Sequence, residues 1–483
     1  MNETGDPIAA LADRGLLIGQ ERRQARATYA HHNPATGEHQ ADVGMASAAD
    51  VDDAVAAARH ALPAWQAMAP GKRQRILLRL ADLLEAHAEE ASVIQARENG
   101  SPVSGLSPGR YAGRWTRYYA GWTDKLEGHV VPVDPEGGLD YVLPEPYGVI
   151  GVLVPWNGPM MGMGQKAAPA LAAGNTVVAK PPELAPFGAY RFAELALEAG
   201  LPPGVLNVVA GGADAGDAMV RHPGVDKVSL TGGLAVARQV MAAAAATLKP
   251  LALELGGKSA NIVFPDADLD RAILMSAALG AMLLTGQGCA LPTRLYAHDD
   301  VYDAVLAGVL AMVESAPVGD PLDPATQVGP VITEAACERI QALIDAAVSD
   351  GAGTLLTGGH RLARKGYFIE PTVFGDVDHE SPLAREEIFG PVLSVLRFST
   401  EDEVVAKAND SQYGLAAYVH TRDASRAHRL ARRLQVGTVT INGFPLMSPN
   451  TPFGGVKQSG FGREGGRAGL EEWVRPKNVY LSF

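Results

Sequence analysis

Residues 147–157 read YGVIGVLVPWN, a short β-branched and apolar run that is bounded by glycine and proline and ends at the polar side chain of Asn157. Runs of the same kind recur downstream as NTVVAK, GVLNVVAG, KVSL and PLALELGG, and helical stretches such as PFGAYRFAELALEAG lie between them. Strands that alternate with helices at this spacing predict βαβ units and a parallel sheet covered on both faces. The sequence therefore indicates an α/β fold.

The second half of the chain repeats the pattern, with ANIVF, TVFGDV and VLSVLRF as strands and an apolar helix from about Asp270. Two α/β domains of comparable size are therefore predicted. Between them, residues 128–148 resemble a hairpin that turns at 135–138. The run WVRPKNVYLSF at 473–483 has no obvious local partner. Exposed strand edges are usually covered, so we expect this strand to pair with another subunit.

Two amphipathic helices precede the first strands of the sheet. One begins at Asp50, whose side chain is a candidate N-cap, and the other covers residues 71–92, with basic side chains opposite a leucine face. Both are predicted to be scaffold helices.

Composition restricts the class of protein. The net charge of −13 and the pI near 5.4 argue against a nucleic-acid or anionic-membrane partner. The longest apolar stretch, 272–285, is shorter than the roughly 20 residues that span a bilayer, so it is predicted to be a buried helix. Cys289 and Cys337 cannot make a disulfide framework, and no signal-peptide core begins the chain. A cytoplasmic location is expected.

Two motifs that suggest ions or phosphates fail on inspection. ELGGKS resembles the end of a P-loop, but Ala252 stands where the first glycine is required. DADLD resembles a calcium loop, but Arg271 occupies the position that needs glycine. HExxH and CxxC do not occur, and no metal is predicted.

Three polar residues interrupt otherwise apolar segments. Taken alone, Cys289 in LTGQGCALP is more often a small buried side chain than a nucleophile, and Asn157 is compatible with a simple turn. Glu254 ends the apolar strand LALE, where a buried carboxylate needs a partner or a raised pKa. All three are expected at carboxyl ends of parallel strands or in the loops that follow, which is where open α/β sheets bind ligands.

Seven motifs together resemble the aldehyde dehydrogenase superfamily, in that family's order and across essentially the whole chain. They are PWNGP (155–159), AKPPE (179–183), LTGG (230–233), LELGGKS (253–259), GQGC (286–289), EEIFGP (386–391) and PFGGVKQSGFGRE (452–464). The resemblance implies a Rossmann-like NAD-binding domain, an α/β catalytic domain and a small β-arm for oligomerisation. The implied NAD-binding domain covers residues 1–126 and 147–253, the catalytic domain covers 254–467, and the β-arm covers 127–146 and 468–483.

The resemblance also assigns catalytic roles. Cys289 is implied as the nucleophile that forms a thiohemiacetal and then a thioester, and Glu254 as the base for hydrolysis of the thioester. The Asn157 amide and the Cys289 N–H are implied as oxyanion donors. Lys166 and Glu464 match a proton-relay path, although a surface lysine and a helix-end carboxylate are equally compatible with the sequence.

NAD is the implied cofactor. Lys180 and Glu183 match the residues at the adenosine ribose, and a carboxylate there disfavours the 2′-phosphate of NADP. Glu387 and Phe389 match the nicotinamide side. The pyrophosphate faces Thr231, Gly232 and Gly233, where the family's usual serine is replaced by Gly233. The remaining implied cofactor contacts are Val154, Pro155, Trp156, Pro182, Gly211, Leu255 and Gly256.

The substrate channel departs most from the family. Gly158 replaces a frequent aromatic residue and Gln165 a frequent tryptophan, so the aromatic box for a quaternary ammonium is missing. We predict a roomy, mostly apolar tunnel for an uncharged aldehyde. Its other expected wall residues are Met161, Gly288, Phe444, Met447 and Phe453.

The predicted function is NAD-dependent oxidation of an aldehyde to its carboxylate by a homodimer or homotetramer. One alternative is a dehydrogenase that transfers the acyl group to coenzyme A, but that class lacks the equivalent of Glu254. The others are an esterase that uses Cys289 without cofactor turnover and a non-catalytic protein that has kept the fold.

Overall fold

The computed structural model of the protein describes residues 7–12, 14–134, 137–443 and 447–483. The described residues form strands β1 (Leu16–Ile18), β2 (Glu21–Arg23), β3 (Ala27–His32), β4 (His39–Met45), β5 (His129–Val131), β6 (Gly138–Pro146), β7 (Val149–Leu153), β8 (Thr176–Lys180), β9 (Leu206–Val208), β10 (Lys227–Thr231), β11 (Leu251–Glu254), β12 (Ala260–Val263), β13 (Arg294–His298), β14 (Thr354–Thr357), β15 (Thr372–Gly375), β16 (Val392–Phe398), β17 (Ala416–His420), β18 (Thr438–Ile441), β19 (Gly460–Phe461) and β20 (Val474–Ser482).

The α-helices alternate with these strands. They are α1 (Pro7–Ala12), α2 (Ala48–Ala67), α3 (Pro70–Ala86), α4 (Ala88–Asn99), α5 (Pro108–Ala120), α6 (Pro159–Ala172), α7 (Phe187–Glu198), α8 (Ala213–Arg221), α9 (Leu234–Ala245), α10 (Leu269–Ala277), α11 (Tyr302–Glu314), α12 (Glu334–Ser349), α13 (Pro382–Arg385), α14 (Glu401–Asn409), α15 (Ala424–Arg433) and α16 (Gly466–Glu471).

An eight-stranded sheet is built around the opening sequence motif. Its order is β19-β11-β10-β7-β8-β9-β1-β2, and the five strands from β11 to β9 run parallel. All five residues of β7 are buried, as expected for a strand covered on both faces. Thr231 pairs with Glu254, and Leu153 pairs with Lys180, so these strand ends meet at one edge.

A seven-stranded sheet contains most of the second half of the chain. Its order is β14-β15-β16-β13-β12-β17-β18, and only the edge strand β14 is antiparallel to its neighbour. The α/β fold with predominantly parallel sheets, predicted from the alternating pattern, is confirmed.

A separate three-stranded sheet contains the predicted hairpin. β5 pairs antiparallel with β6, and β20 pairs with the other edge of β6 from Val474–Pro146 to Ser482–Gly138. The last strand therefore has no partner nearby in the sequence, as predicted, and its partner within the chain is β6, more than 300 residues earlier. We refer to β5, β6 and β20 as the β-arm sheet.

The N-terminal helices differ in detail from their prediction. Helix α2 is capped by Ser47, whose side chain accepts from the backbone N–H of Asp50, while Asp50 accepts from the Ser47 N–H. Asp50 is therefore the third residue of a capping box and not the N-cap. The single helix predicted over 71–92 is two helices, α3 and α4, which are separated at His87.

The apolar stretch before Cys289 is a helix that changes its winding. Helix α10 continues as a π-helical turn at Ala278–Met282 and a 3₁₀ turn at Leu283–Gly286. Within the described chain, 269–286 is the one segment long and apolar enough to cross a membrane, and half of it is buried inside the protein. Such burial is typical of the core helix predicted here.

Candidate active site

A cavity of about 780 Å³ lies at the carboxyl edge of the eight-stranded sheet. Because Cys289, Glu254 and Asn157 all line it, residues distant in sequence meet at one site. The other predicted residues that line it are Val154, Pro155, Trp156, Lys180, Pro182, Glu183, Thr231, Gly232, Gly233, Leu255, Gly256, Glu387 and Phe389.

Cys289 lies in a loop with a constrained backbone. The loop follows the 3₁₀ turn and leads into β13, so the expectation that Cys289 follows the end of a strand is wrong. Leu284 and Thr285 have φ angles of 52° and 54°, a left-handed conformation that is uncommon for bulky residues. Gln287 fixes the loop because its Oε1 accepts from the backbone N–H of Ile332 at 3.0 Å.

The Asn157 amide already points at the nucleophile loop. Its Nδ2 donates to the backbone carbonyl of Gln287 at 2.8 Å, two residues before Cys289. Asn157 is placed by β7 and by helix α6, whose N-cap is Gly158. The amide donor is therefore held at the nucleophile loop by the segment 147–157.

The Cys289 thiol is a free, partly exposed group in a negatively charged site. Burial, followed by the charges of Glu387 and Glu254, raises the pKa of Cys289 to about 12. The thiol is therefore protonated at neutral pH, and nucleophilic attack requires a base or a compensating positive charge.

Glu254 ends β11 with both carboxyl oxygens buried and without a hydrogen-bond partner among the described residues. Burial and, next, the charge of Glu464 raise the pKa of Glu254 well above its usual value, while Lys166 acts in the opposite direction. A buried carboxyl group whose pKa is raised in this way has the properties of a general base.

Lys166 and Glu464 form a buried ion pair next to Glu254. Lys166 Nζ lies 2.5 Å from Glu464 Oε1 and 2.9 Å from the hydroxyl of Ser229 on β10, and only 1% of the Lys166 side chain is exposed. The alternative of a surface lysine is thus excluded. Glu464 is held by a backbone bridge to Phe453, in which each N–H donates to the other carbonyl.

Lys180 and Glu183 also line the cavity. Lys180 Nζ donates to the backbone carbonyl of Gly211. Gly211 makes this contact but does not itself line the cavity. Burial lowers the pKa of Lys180 to about 8, although Glu183 opposes the shift. Gly233 is the N-cap of α9, whose first N–H groups form a ready site for an anion.

Glu387 and Phe389 close the cavity on the side of Cys289. Glu387 Oε1 accepts from the Gly257 N–H at 3.0 Å, and its carboxylate lies so close to Gly256 that a Cβ there would collide with it. The Phe389 ring packs edge-on against Trp156, with centroids 5.3 Å apart. Arg339 also lines the cavity, and it was not predicted from the sequence.

The predicted substrate residues are only partly brought together. A Cβ on Gly158 would lie 2.5 Å from Met161 Cε, and one on Gly288 would lie 2.9 Å from Leu291 Cγ. The space that a side chain would take at each glycine is therefore occupied by the neighbouring side chain. Met447 packs against the core of the eight-stranded sheet. Phe444 lies outside the described residues.

Two tyrosines near the thiol, Tyr111 and Tyr418, were not predictable from local sequence motifs. Tyr111 on α5 accepts a hydrogen bond from Gln165, and Tyr418 donates to the carbonyl of Ala290 at 2.8 Å. The charge of Cys289 acts on the pKa of both. The aromatic run RYAGRWTRYYAGW was the only local signal for Tyr111.

Comparisons with known proteins agree with this geometry. The family model described as "Aldehyde dehydrogenase family" matches residues 21–479. The chain belongs to the aldehyde dehydrogenase family. It is 43% identical over 452 residues to a betaine aldehyde dehydrogenase of Cereibacter sphaeroides, with 93% of each chain covered.

Solved aldehyde dehydrogenase structures have the same fold. The NAD+ complex of aldehyde dehydrogenase from Bacillus cereus matches with a TM-score of 0.96 at 38% identity, over 100% of this chain and 99% of that one. A structure described as an E. coli NADP dependent enzyme matches with a TM-score of 0.95 at 36% identity, over 98% and 99%. The predictions of family, fold class and enzymatic nature are confirmed.

The described part of this aldehyde dehydrogenase has one cluster of metal-ligand side chains, His379, Glu380 and Asp410. Its groups are already engaged, because His379 contacts Asp410 and Tyr296, and Arg385 contacts both carboxylates. The cluster lies apart from the cavity and has no place in the site.

Proposed function

We propose that this aldehyde dehydrogenase oxidises an aldehyde to its carboxylate with NAD, through covalent intermediates on Cys289. The observation that carries the proposal is that the Cys289 thiol, the Asn157 amide and the Glu254 carboxyl group share one cavity. An aldehyde has no leaving group, so its carbon must first become tetrahedral and electron-rich before it can lose a hydride.

In the first step the Cys289 thiol gives its proton to solvent water, an ionisation that the positive charge of a bound nicotinamide would favour, and Sγ adds to the carbonyl carbon as the carbon–oxygen π bond opens. The product is a thiohemiacetal with a negative oxygen. Asn157 Nδ2 and the Cys289 N–H would stabilise this oxygen, and Asn157 would exchange its bond to the Gln287 carbonyl for one to the substrate. Removing one such donor typically lowers the rate by ~10²–10³.

The residues of the cavity fit a dinucleotide. The exposed N-terminus of α9 at Gly233 suits a pyrophosphate, Lys180 and Glu183 suit a ribose, and Glu387 suits the second ribose. NAD held by these residues would supply the acceptor for the hydride. Glu183 would accept from ribose hydroxyls and repel a 2′-phosphate, which favours NAD over NADP.

Hydrolysis of the thioester completes the reaction. Glu254 takes a proton from water, the water oxygen attacks the acyl carbon, and the carbon–sulfur bond breaks to release the carboxylate and the Cys289 thiol. The buried pair of Lys166 and Glu464 provides a path by which the proton leaves Glu254. This role for Glu254 favours hydrolysis over transfer to coenzyme A.

The first test measures nicotinamide reduction by the wild-type enzyme and by Cys289→Ala against a panel of aldehydes. We expect turnover with NAD, slower turnover with NADP, and a loss of at least ~10³-fold in Cys289→Ala. Cys337→Ala, which removes the buried cysteine of α12, is the matched control and is expected to retain activity.

Each rival predicts a different result of this test. Acyl-coenzyme A as the main product would indicate the acylating class. Cleavage of an activated ester without reduction of NAD would indicate an esterase, and no reaction of either kind would indicate a non-catalytic protein. Full aldehyde oxidation by Cys289→Ala would refute the mechanism.

Assembly and location remain predictions. A homodimer or homotetramer is supported by the exposed apolar residues of the β-arm sheet. A cytoplasmic location is proposed because Cys289 and Cys337 are both free thiols, as is usual in a reducing compartment.

A further inference from the structure

Tyr111 and Gln165 form a polar pair in the part of the site where the sequence predicts an apolar tunnel. Gln165 Nε2 donates to the Tyr111 hydroxyl at 3.0 Å, and both side chains are partly exposed. We call them the Tyr111–Gln165 pair. The cofactor cavity described above is not lined by either residue.

The packing of two helices fixes the pair. Helices α5 and α6 approach so closely that a Cβ on Gly164 would lie 2.8 Å from the Ala112 Cα. The residues next to these two, Gln165 and Tyr111, are thereby held opposite each other. The Tyr111 ring also stacks on Trp115, with centroids 5.9 Å apart and planes 25° from parallel. The pair is therefore preorganised, and its bond persists without substrate.

The pair is also tied to the position of the reacting carbon. Gly158, Met161 and Gln165 lie on one face of α6, directly after the oxyanion donor Asn157. Gln165 lies six residues past Pro159, the first residue of α6, which is about 9 Å along the helix axis at 1.5 Å per residue. A substrate group at the pair would thus be several bonds away from the aldehyde carbon.

The Tyr111 hydroxyl is available as a donor. It accepts from Gln165, and the described residues provide no acceptor for its own proton. Burial, followed by the charge of Glu464, raises the pKa of Tyr111 well above its usual value, so the hydroxyl stays protonated. The Gln165 carbonyl oxygen is in turn free to accept.

We propose that the Tyr111–Gln165 pair recognises an uncharged oxygen substituent, above all a hydroxyl group, at the far end of the aldehyde substrate. A hydroxyl group accepts from Tyr111 and donates to Gln165 Oε1, so it satisfies both partners. This inference rests on the proposed aldehyde oxidation. According to this inference, the expected apolar tunnel has a polar end. The substrate class is an uncharged, hydroxylated aldehyde.

The test compares alkanals of increasing chain length with their ω-hydroxy counterparts. At the length that reaches the pair, we expect kcat/KM to be about tenfold higher for the hydroxy aldehyde, which corresponds to one hydrogen bond of ~1.4 kcal/mol. Tyr111→Phe and Gln165→Met should bring this ratio close to one, because they lower kcat/KM for the hydroxy aldehyde more than for the plain alkanal.

Tyr118→Phe is the matched control, because Tyr118 lies on the same helix and packs against Tyr119 and Trp122. It should retain the preference. A wild-type enzyme with no preference at any length would overturn the inference, as would equal losses on both aldehydes in Tyr111→Phe. A preference for ω-carboxy aldehydes that depends on the exposed Arg114 would also overturn it.

Failure of the proposed function would give a different experimental result from failure of the inference about the Tyr111–Gln165 pair. It would appear as no aldehyde-dependent reduction with any member of the panel, and the substrate preference would then have no reaction to act on. Turnover on the plain alkanals without discrimination would refute only the role of the pair.

Discussion

At the scale of the residue, burial keeps Glu254 protonated and therefore inactive as a base until the pH rises. Its pKa in the folded protein lies well above the usual value, so the carboxylate form is lost at a higher pH than in an ordinary glutamate. We predict that the rate of thioester hydrolysis rises with pH through an apparent pKa far above that of an ordinary glutamate. In Glu254→Gln this pH dependence should vanish, and kcat should fall by ~10²–10⁴.

Pre-steady-state measurements separate this role from a structural one. Glu254→Gln should still release up to one reduced nicotinamide per subunit in a burst, because acylation of Cys289 does not need the base for hydrolysis. Glu471→Gln is the control, since Glu471 is exposed and pairs with Arg467. If Glu254→Gln retained the wild-type kcat and pH profile, another group would have to be the base.

The ionisation of Lys180 predicts a second effect of pH, this time on NAD binding. A rise in pH weakens NAD binding, whereas it speeds the hydrolysis that depends on Glu254. Because burial lowers its pKa to about 8, the ammonium form is present below that pH and is lost above it. We therefore predict that NAD binding weakens as the pH rises through about 8, as measured by fluorescence titration of the dissociation constant. Lys180→Met should bind NAD weakly at all pH values, and an equally steep weakening in this variant would exclude Lys180 as the cause.

At the scale of the element, the contact between α5 and α6 depends on Gly164. Alanine normally stabilises a helix interior relative to glycine by about 1 kcal/mol, but a Cβ here would lie 3.1 Å from the Ala112 Cβ and 2.8 Å from its Cα. Overpacking of this kind typically costs about 1–3 kcal/mol. We predict that Gly164→Ala lowers the free energy of unfolding, measured by urea denaturation.

Gly71 provides the comparison for this prediction. It lies in helix α3, where a new Cβ would meet nothing nearer than the flexible end of Arg75 at 4.0 Å. Gly71→Ala should therefore be neutral or slightly stabilising. Equal effects of the two substitutions would mean that the helices separate freely and that the close approach is not needed to hold the Tyr111–Gln165 pair.

The strands and helices show which parts of the fold and of the site can be predicted from the sequence alone. Glu254 at the end of β11 was predictable because a local pattern defines both the strand and its end. Tyr111 was not, because its place beside the thiol depends on how α5 packs against α6. The break at His87 was also missed, since the amphipathic pattern continues across it. Local periodicity thus specifies elements, whereas helix–helix contacts complete the site.

At the scale of the whole molecule, the β-arm sheet has exposed apolar residues that a monomer would leave in water. On one face, Leu139 and Leu481 lie directly opposite each other across β6 and β20, and both are exposed. Large exposed apolar patches usually mark interaction surfaces, so this sheet is the expected contact between subunits.

A paired substitution tests this contact without breaking the sheet. Leu139→Glu combined with Leu481→Lys removes the apolar face but places opposite charges across the two strands, which supports their pairing. We predict that the wild type has the mass of a dimer or tetramer in light scattering and that the double variant has a smaller mass with an unchanged circular dichroism spectrum. Val348→Lys, at an exposed apolar site on α12, should leave the mass unchanged. A monomeric wild type, or a double variant that keeps the full mass, would show that the β-arm sheet does not hold the subunits together.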